Sequence, residues 1–173
     1  YFSSNPDQLN PMNFDREYKQ IEQTKLSKPK RDDFELVRLS ATTQTELLFK
    51  INEEAPNLVI ISAHGTKNQE LLFENDQGNK VPLVAEQFLK QVKTLTESPF
   101  NRIECIIFSC CHSALLAQSV SKIVGSAVGI EGPIQDEAMP VFMQGFFQTF
   151  FDTSDVSYSA KIGKALLENK ENL

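Results

Sequence analysis

Two apolar runs decide how this chain folds. The first is Leu-Val-Ile-Ile-Ser-Ala-His-Gly at positions 58–65, and the second is Ile-Glu-Cys-Ile-Ile-Phe-Ser-Cys-Cys-His-Ser at positions 103–113. Near-continuous runs of branched apolar residues are typical of parallel strands that are covered on both faces. We therefore predict two buried strands, one delivering His64 and the other Cys111 at its carboxyl end.

The segments around these runs alternate between strand and helix patterns. Further strands are expected at 1–3, 34–39 and 126–130, and the turn-rich residues 75–79 should close a small hairpin between 70–74 and 80–83. Helical spacing and capping residues predict helices near 14–26, 43–55, 85–95, 113–123, 136–151 and 158–169. This alternation indicates an α/β fold with a mainly parallel sheet and right-handed crossovers.

Three of these helices carry residues that we expect in the core. Their apolar positions recur at the spacing of one buried helix face. The expected core residues are Leu47, Leu48, Ile51 and Ala55 in one helix, Leu115, Leu116, Val120 and Ile123 in another, and Phe142, Phe146, Phe147, Phe150 and Phe151 in the third.

Length and composition exclude several classes of protein. The 173 residues fit one domain, 1–173, and 40% hydrophobic with 23% charged residues is typical of a soluble protein without a membrane-spanning run. A net charge of −6 argues against direct nucleic-acid binding. The three cysteines do not show the regular spacing of a disulfide-bonded secreted protein, so we expect a protein of the reducing cytoplasm. Because the chain begins with Tyr1 rather than methionine, we expect it to be part of a larger protein.

His64 and Cys111 have the chemistry of a base and a nucleophile. A thiol attacks as the thiolate, and a nearby imidazole can take its proton and later protonate a leaving amine. The backbone N–H groups of Gly65 and Cys111 could together form an oxyanion hole. Cys110 competes with Cys111 as the nucleophile and His112 with His64 as the base; strand alternation lets only one of the adjacent cysteines face the histidine.

The two motifs resemble those of caspase-like cysteine peptidases. Ser62-Ala63-His64-Gly65 and Ser109-Cys110-Cys111-His112-Ser113 are similar to the histidine and cysteine motifs of that group, and the separation of 111 − 64 = 47 residues is close to the ~50 residues found in caspases. The second motif also resembles the metacaspase pattern Asp-x-Cys-His-Ser, with Ser109 in place of aspartate. The rest of the chain is similar to the CHAT family of caspase-like peptidases.

The resemblance implies a fold, an activity and partners. The fold would be a three-layer α/β/α sandwich, and the activity would be endopeptidase cleavage by a Cys111–His64 dyad without a cofactor or metal. Partners would be a protein substrate and sensor or repeat domains, in a bacterial defence or cell-death system. A caspase-like scaffold that lacks activity is the alternative. A zinc site lacks the usual paired ligand spacing, and a nucleotide site lacks its glycine-rich turn.

Substrate selection would depend on an acidic side chain near the site. Asp136 resembles the pocket acid that follows the next strand in several relatives, although it could instead cap a helix. Glu131 and Asp76 are weaker candidates.

Overall fold

The computed structural model describes residues 1–135 and 137–171, and it contains seven strands and six α-helices within them. The strands are β1 (Phe2–Ser3), β2 (Leu58–Ser62), β3 (His64–Gly65), β4 (Leu71–Glu74), β5 (Lys80–Leu83), β6 (Cys105–Ser109) and β7 (Ser126–Val128). The helices are α1 (Phe14–Leu26), α2 (Gln44–Glu54), α3 (Ala85–Thr96), α4 (Ala114–Val124), α5 (Ala138–Thr153) and α6 (Val156–Glu171).

The chain divides into two compact units. The first, built from Tyr1–Met12 and Arg38–Pro133, contains every strand together with α2, α3 and α4. The second unit, built from the described residues of Asn13–Val37 and Ile134–Leu173, contains α1, α5 and α6. Both sequence motifs, residues 58–65 and 103–113, lie entirely in the first unit.

The main sheet is parallel, with the strand order β1-β2-β6-β7. Its central strands, β2 and β6, pair from Leu58 with Cys105 to Ser62 with Ser109. Both strands are apolar on both faces, and all five residues of β6 are buried. This register places the carboxyl ends of β2 and β6 side by side.

A second sheet follows β2 at once. Its order is β3-β4-β5 with antiparallel pairing, so that His64 lies opposite Leu72 and Gly65 opposite Leu71. The alternating burial of β4 places Leu71 and Phe73 in the core. His64 is therefore held in a short strand of its own, and not at the end of β2.

Local signals explain where the helices of the first unit begin and end. Thr43 and Glu46 form the reciprocal capping box at the start of α2, and Ala55 ends this helix in the left-handed conformation before Pro56. Gly125 ends α4 with a φ of 93°. Leu47 from α2, Phe88 from α3 and other side chains pack with the sheet residues in one hydrophobic core.

The helical unit is built around phenylalanine. Phe146, Phe147 and Phe151 of α5 are buried, and the ring of Phe34 lies 4.9 Å from that of Phe151. The helices α5 and α6 approach closely, because a β-carbon on Gly145 would lie 2.9 Å from the Cα of Gly163.

The predicted α/β class is confirmed. The mainly parallel sheet, the flanking helices and the small hairpin after the histidine motif are all present, which is consistent with the expected caspase-like α/β/α fold. Within the described part of the chain, no helix is both long and apolar enough to cross a membrane.

Three details of the sequence prediction were wrong. The expected strand at 34–39 is not formed: Phe34 packs against phenylalanines of α5, and Leu39 makes only an isolated bridge with Phe2. Leu115 is 58% exposed, since it lies at the edge of the apolar face of α4. The strand expected at 126–130 ends at Val128, because Ile130 turns to bond the segment after Cys111.

Candidate functional site

The histidine motif is fixed by both sheets. Beyond the end of β2, the N–H of Ala63 still bonds to the carbonyl of Ser109, at 3.4 Å, which keeps the chain beside the end of β6. The next two residues, His64 and Gly65, pair with β4. His64 is half-buried, and its Nε2 atom is shielded from solvent. The backbone of His64 is thus held by a short paired strand, at the place where the main sheet ends.

The two adjacent cysteines have different environments. Cys110 is fully buried, and its thiol donates to the carbonyl of Ile61 at 3.3 Å. Cys111 is half-buried and therefore accessible to solvent. The alternation that the sequence predicts for neighbouring residues is visible here, since Cys110 is fully buried and Cys111 is only half-buried.

Cys105, the third cysteine, lies inside the main sheet. It is 1% exposed, and burial raises the pKa of its thiol to about 12. At neutral pH this side chain stays protonated, so it fills space as a small apolar group. It has no access to a substrate.

Gly65 brings the two motifs into direct contact. A β-carbon on Gly65 would overlap the carbonyl oxygen of Cys111, and it would lie 2.9 Å from the carbonyl carbon and 3.1 Å from the nitrogen of Cys111. Real side chains do not approach a backbone so closely, and only glycine permits this packing. The residue that follows His64 therefore lies against the backbone of Cys111, which brings together the sequences that carry the two candidate reactive groups.

The chain turns sharply after Cys111. His112 adopts a left-handed conformation with a φ of 57°, and its N–H donates to the carbonyl of Gly132 at 2.9 Å. Histidine tolerates this region better than most residues, yet it costs about 1–2 kcal/mol relative to the right-handed conformation. A strained residue directly after a candidate nucleophile is a common feature of functional sites.

Ser113 closes this turn with its side chain. Its hydroxyl donates to the carbonyl of Cys110 at 2.7 Å and accepts from the N–H of Ile130 at 3.0 Å, and the residue is 2% exposed. The N–H of Ala114 bonds to the carbonyl of Ile130 at 3.0 Å. The sequence reasoning did not identify Ser113 as important, because nothing in the local pattern indicates a bond to a residue 17 positions away.

The candidate pocket acids are placed differently. Asp136 lies outside the described residues. Glu131 is exposed and immediately precedes Gly132, whose carbonyl bonds to the turn after Cys111, so it lies beside the site. Asp76 is exposed in the turn between β4 and β5.

An acid that the sequence reasoning did not consider is Glu70. It lies in the turn between β3 and β4, where its carboxylate accepts from the hydroxyl of Thr66 at 3.0 Å. The N–H of Thr66 bonds to the carbonyl of Glu70, so these two residues continue the pairing of His64 with Leu72 and Gly65 with Leu71.

The arrangement can support attack on a carbonyl group. The half-buried Cys111 follows one central strand, His64 follows the neighbouring strand, and the backbone of Gly65, the residue after His64, packs on that of Cys111. Nucleophile, base and backbone N–H donors are the groups that acyl transfer requires. Among the described residues, no three or more His, Cys, Asp or Glu side chains are grouped as a metal site would need.

Comparison with known proteins identifies similar proteases. A Roc-COR-CHAT protease from an unknown prokaryotic organism is 26% identical over 174 residues, which cover 99% of this chain and 16% of that protein. A probable protease of Gillisia limnaea is 22% identical over 152 residues, which cover 88% of this chain and 26% of that protein. No family model matches the chain.

The chain therefore spans less than a third of the length of these curated relatives. Both relatives are named as proteases, and one name includes CHAT. The resemblance recognised in the sequence is confirmed: over nearly its whole length, this chain is similar to a CHAT-family protease.

Proposed function

We propose that this chain is a cysteine endopeptidase domain in which Cys111 is the nucleophile and His64 the general base. The observation that carries the proposal is the packing of Gly65 on the backbone of Cys111, which brings the histidine and cysteine motifs together at the ends of β2 and β6. The protease names of both relatives support the reaction class.

The proposed reaction begins with transfer of the Cys111 proton to His64. The sulfur attacks the carbonyl carbon of the scissile peptide bond, and the N–H groups of Gly65 and Cys111 stabilise the oxyanion that forms. His64 then returns the proton to the leaving amine, which leaves an acyl group on the sulfur. A water molecule that is deprotonated by His64 hydrolyses this thioester and regenerates the thiol. No cofactor takes part.

Burial supports Cys111 over Cys110 as the nucleophile. The Cys110 thiol is enclosed and bonded to a carbonyl of β2, so a polypeptide could reach it only if the sheet opened. The half-buried Cys111 needs no such opening. We assign the N–H groups of Gly65 and Cys111 as the oxyanion donors because, without a side chain on Gly65, the backbones of these two residues lie in direct contact.

We further propose that residues 1–173 form a single regulated protease domain within a longer protein. The first relative carries Roc and COR in its name beside CHAT, and this chain matches only a part of it. Sibling domains would then control the protease in a bacterial defence or cell-death pathway. A thiol nucleophile operates best in a reducing compartment, which fits the cytoplasm. Asp136 would contribute to substrate selection.

Peptide cleavage by matched variants tests the proposal. The full-length protein is incubated with a proteome-derived peptide library, and new termini are identified by mass spectrometry. Cys111→Ala and His64→Ala should each abolish the cleavage that the wild type produces. Cys110→Ala and His112→Asn are the matched controls, and both should retain it, because asparagine tolerates the left-handed conformation of His112. Cleavage that persists in Cys111→Ala would contradict the proposal, and a wild type that never cleaves would favour the scaffold alternative.

A further inference from the structure

The hydroxyl of Ser113 lies at the centre of the contacts around the candidate nucleophile. It donates to the Cys110 carbonyl at 2.7 Å and accepts from the Ile130 N–H at 3.0 Å, in a site that is 2% exposed. Because buried polar groups need partners, the hydroxyl has little freedom to rotate between alternatives. The Cys110 carbonyl is therefore held in one direction.

That carbonyl and the proposed oxyanion donor belong to the same peptide unit. The peptide bond between Cys110 and Cys111 is planar and trans, so the carbonyl of Cys110 and the N–H of Cys111 point in opposite directions across one rigid plane. A bond that fixes the carbonyl also fixes the N–H. The Cys111 nitrogen lies 3.1 Å from the place where a Gly65 side chain would begin, so the residue after His64 packs directly on the backbone of Cys111.

We infer that Ser113 is a positioning residue, whose hydroxyl aims the Cys111 N–H at the oxyanion of the acyl-transfer reaction. This inference rests on the proposed function and adds a residue to it. Ser113 does not touch the substrate and takes no proton from it. Its effect passes through the Cys110–Cys111 peptide plane.

The segment after β7 holds Ser113 in place. Its backbone bonds to the turn twice more, from His112 N–H to the Gly132 carbonyl at 2.9 Å and from Ala114 N–H to the Ile130 carbonyl at 3.0 Å. A β-carbon on Gly129 would lie 2.7 Å from the Ser113 carbonyl oxygen, so this contact also needs glycine. The segment after β7 therefore holds Ser113, and Ser113 in turn orders the turn after Cys111.

The experiment separates oxyanion stabilisation from thiol reactivity. It uses the full-length protein, a fluorogenic peptide taken from the cleavage products of the library, the aldehyde of the same peptide, and iodoacetamide. The aldehyde forms a tetrahedral adduct that needs the oxyanion hole, whereas alkylation of Cys111 by iodoacetamide does not. All rates are normalised to the folded fraction measured by circular dichroism, so partial unfolding does not enter the comparison.

Ser113→Ala should lower kcat by about 10- to 100-fold, somewhat less than the loss of a whole oxyanion donor. KM and the alkylation rate of Cys111 should stay within about threefold, and the affinity for the aldehyde should fall by the same factor as kcat. Ser113→Thr, which keeps the hydroxyl, should restore most of the activity. Thr42→Val is the matched control: this buried hydroxyl also donates to a carbonyl three residues earlier, at 3.2 Å, and its loss should leave kcat unchanged.

Other results would overturn the inference. It fails if Ser113→Ala cleaves as fast as the wild type, or if alkylation and kcat fall together, which would indicate general disorder of the turn. It also fails if folded Ser113→Thr is as slow as Ser113→Ala. Cys111→Ala is measured in the same series. If Cys111→Ala cleaves normally, the proposed function itself is wrong and this inference falls with it.

Discussion

The substitution Gly65→Ala tests whether the contact between the histidine and cysteine motifs is needed for catalysis. The added β-carbon would overlap the Cys111 carbonyl oxygen and lie 2.9 Å from its carbonyl carbon. The obstacle is backbone on both sides, so relief requires the chains to separate by about 1–1.5 Å to reach ordinary contact distance. Misplacement on this scale costs about 100-fold in rate, which corresponds to about 2.7 kcal/mol of transition-state stabilisation. The free energy of unfolding should fall by about 1–3 kcal/mol.

The measurement is kcat for the fluorogenic peptide together with urea unfolding. Gly125→Ala provides the control, because a side chain there is strained by a φ of 93° but would meet only the Glu104 carbonyl oxygen, at an ordinary 3.9 Å. This control should lose stability and keep its kcat. If Gly65→Ala behaves like the control, with reduced stability and a normal kcat, the contact between the motifs has no part in catalysis and the reasoning is refuted.

Three further predictions concern stability. Thr43→Ala removes the capping box with Glu46 and should cost about 1 kcal/mol in chemical unfolding; an unchanged midpoint would contradict it. Gly145→Ala should destabilise the protein by about 1–3 kcal/mol in thermal unfolding, because the new β-carbon would lie 2.9 Å from the Cα of Gly163. This loss should outweigh the preference of alanine over glycine in a helix, which is about 1 kcal/mol. A higher melting temperature would disprove the close approach of α5 and α6. The pKa of Cys105 is about 12 in the folded protein and ~8.5 in the unfolded chain, so the free energy of unfolding should fall as the pH rises between these values. The fall should be smaller in Cys105→Val, which has no thiol. Equal dependence of the unfolding free energy on pH in the two proteins would argue against the burial of Cys105.

The fold was largely predictable because its signals are local. The branched apolar runs at 58–63 and 103–109 became the central strands, and the Thr43–Glu46 pattern became a capping box. The segment at 34–39 failed for a nonlocal reason. Its alternating pattern fits a strand, but Phe34 packs against Phe151, which lies more than a hundred positions away in the sequence.

The candidate site was predictable only in outline. The positions of His64 and Cys111 after strands could be read from apolar periodicity, whereas the pairing of His64 with Leu72 and the bonds of Ser113 depend on residues that only folding brings together. Strand alternation indicated that Cys110 and Cys111 would point to opposite faces, so that only one of them could face His64. Burial of Cys110 then provided the physical basis for choosing between them.

The central claim is that His64 activates the thiol of Cys111, and covalent trapping tests it most directly. A chloromethyl ketone made from a cleaved peptide is incubated with the full-length wild type and with His64→Ala, and the adduct is located by peptide mass spectrometry. We expect one adduct on Cys111, formed at least about 100-fold more slowly without the imidazole. An adduct on Cys110, or equal labelling rates in the two proteins, would contradict the claim.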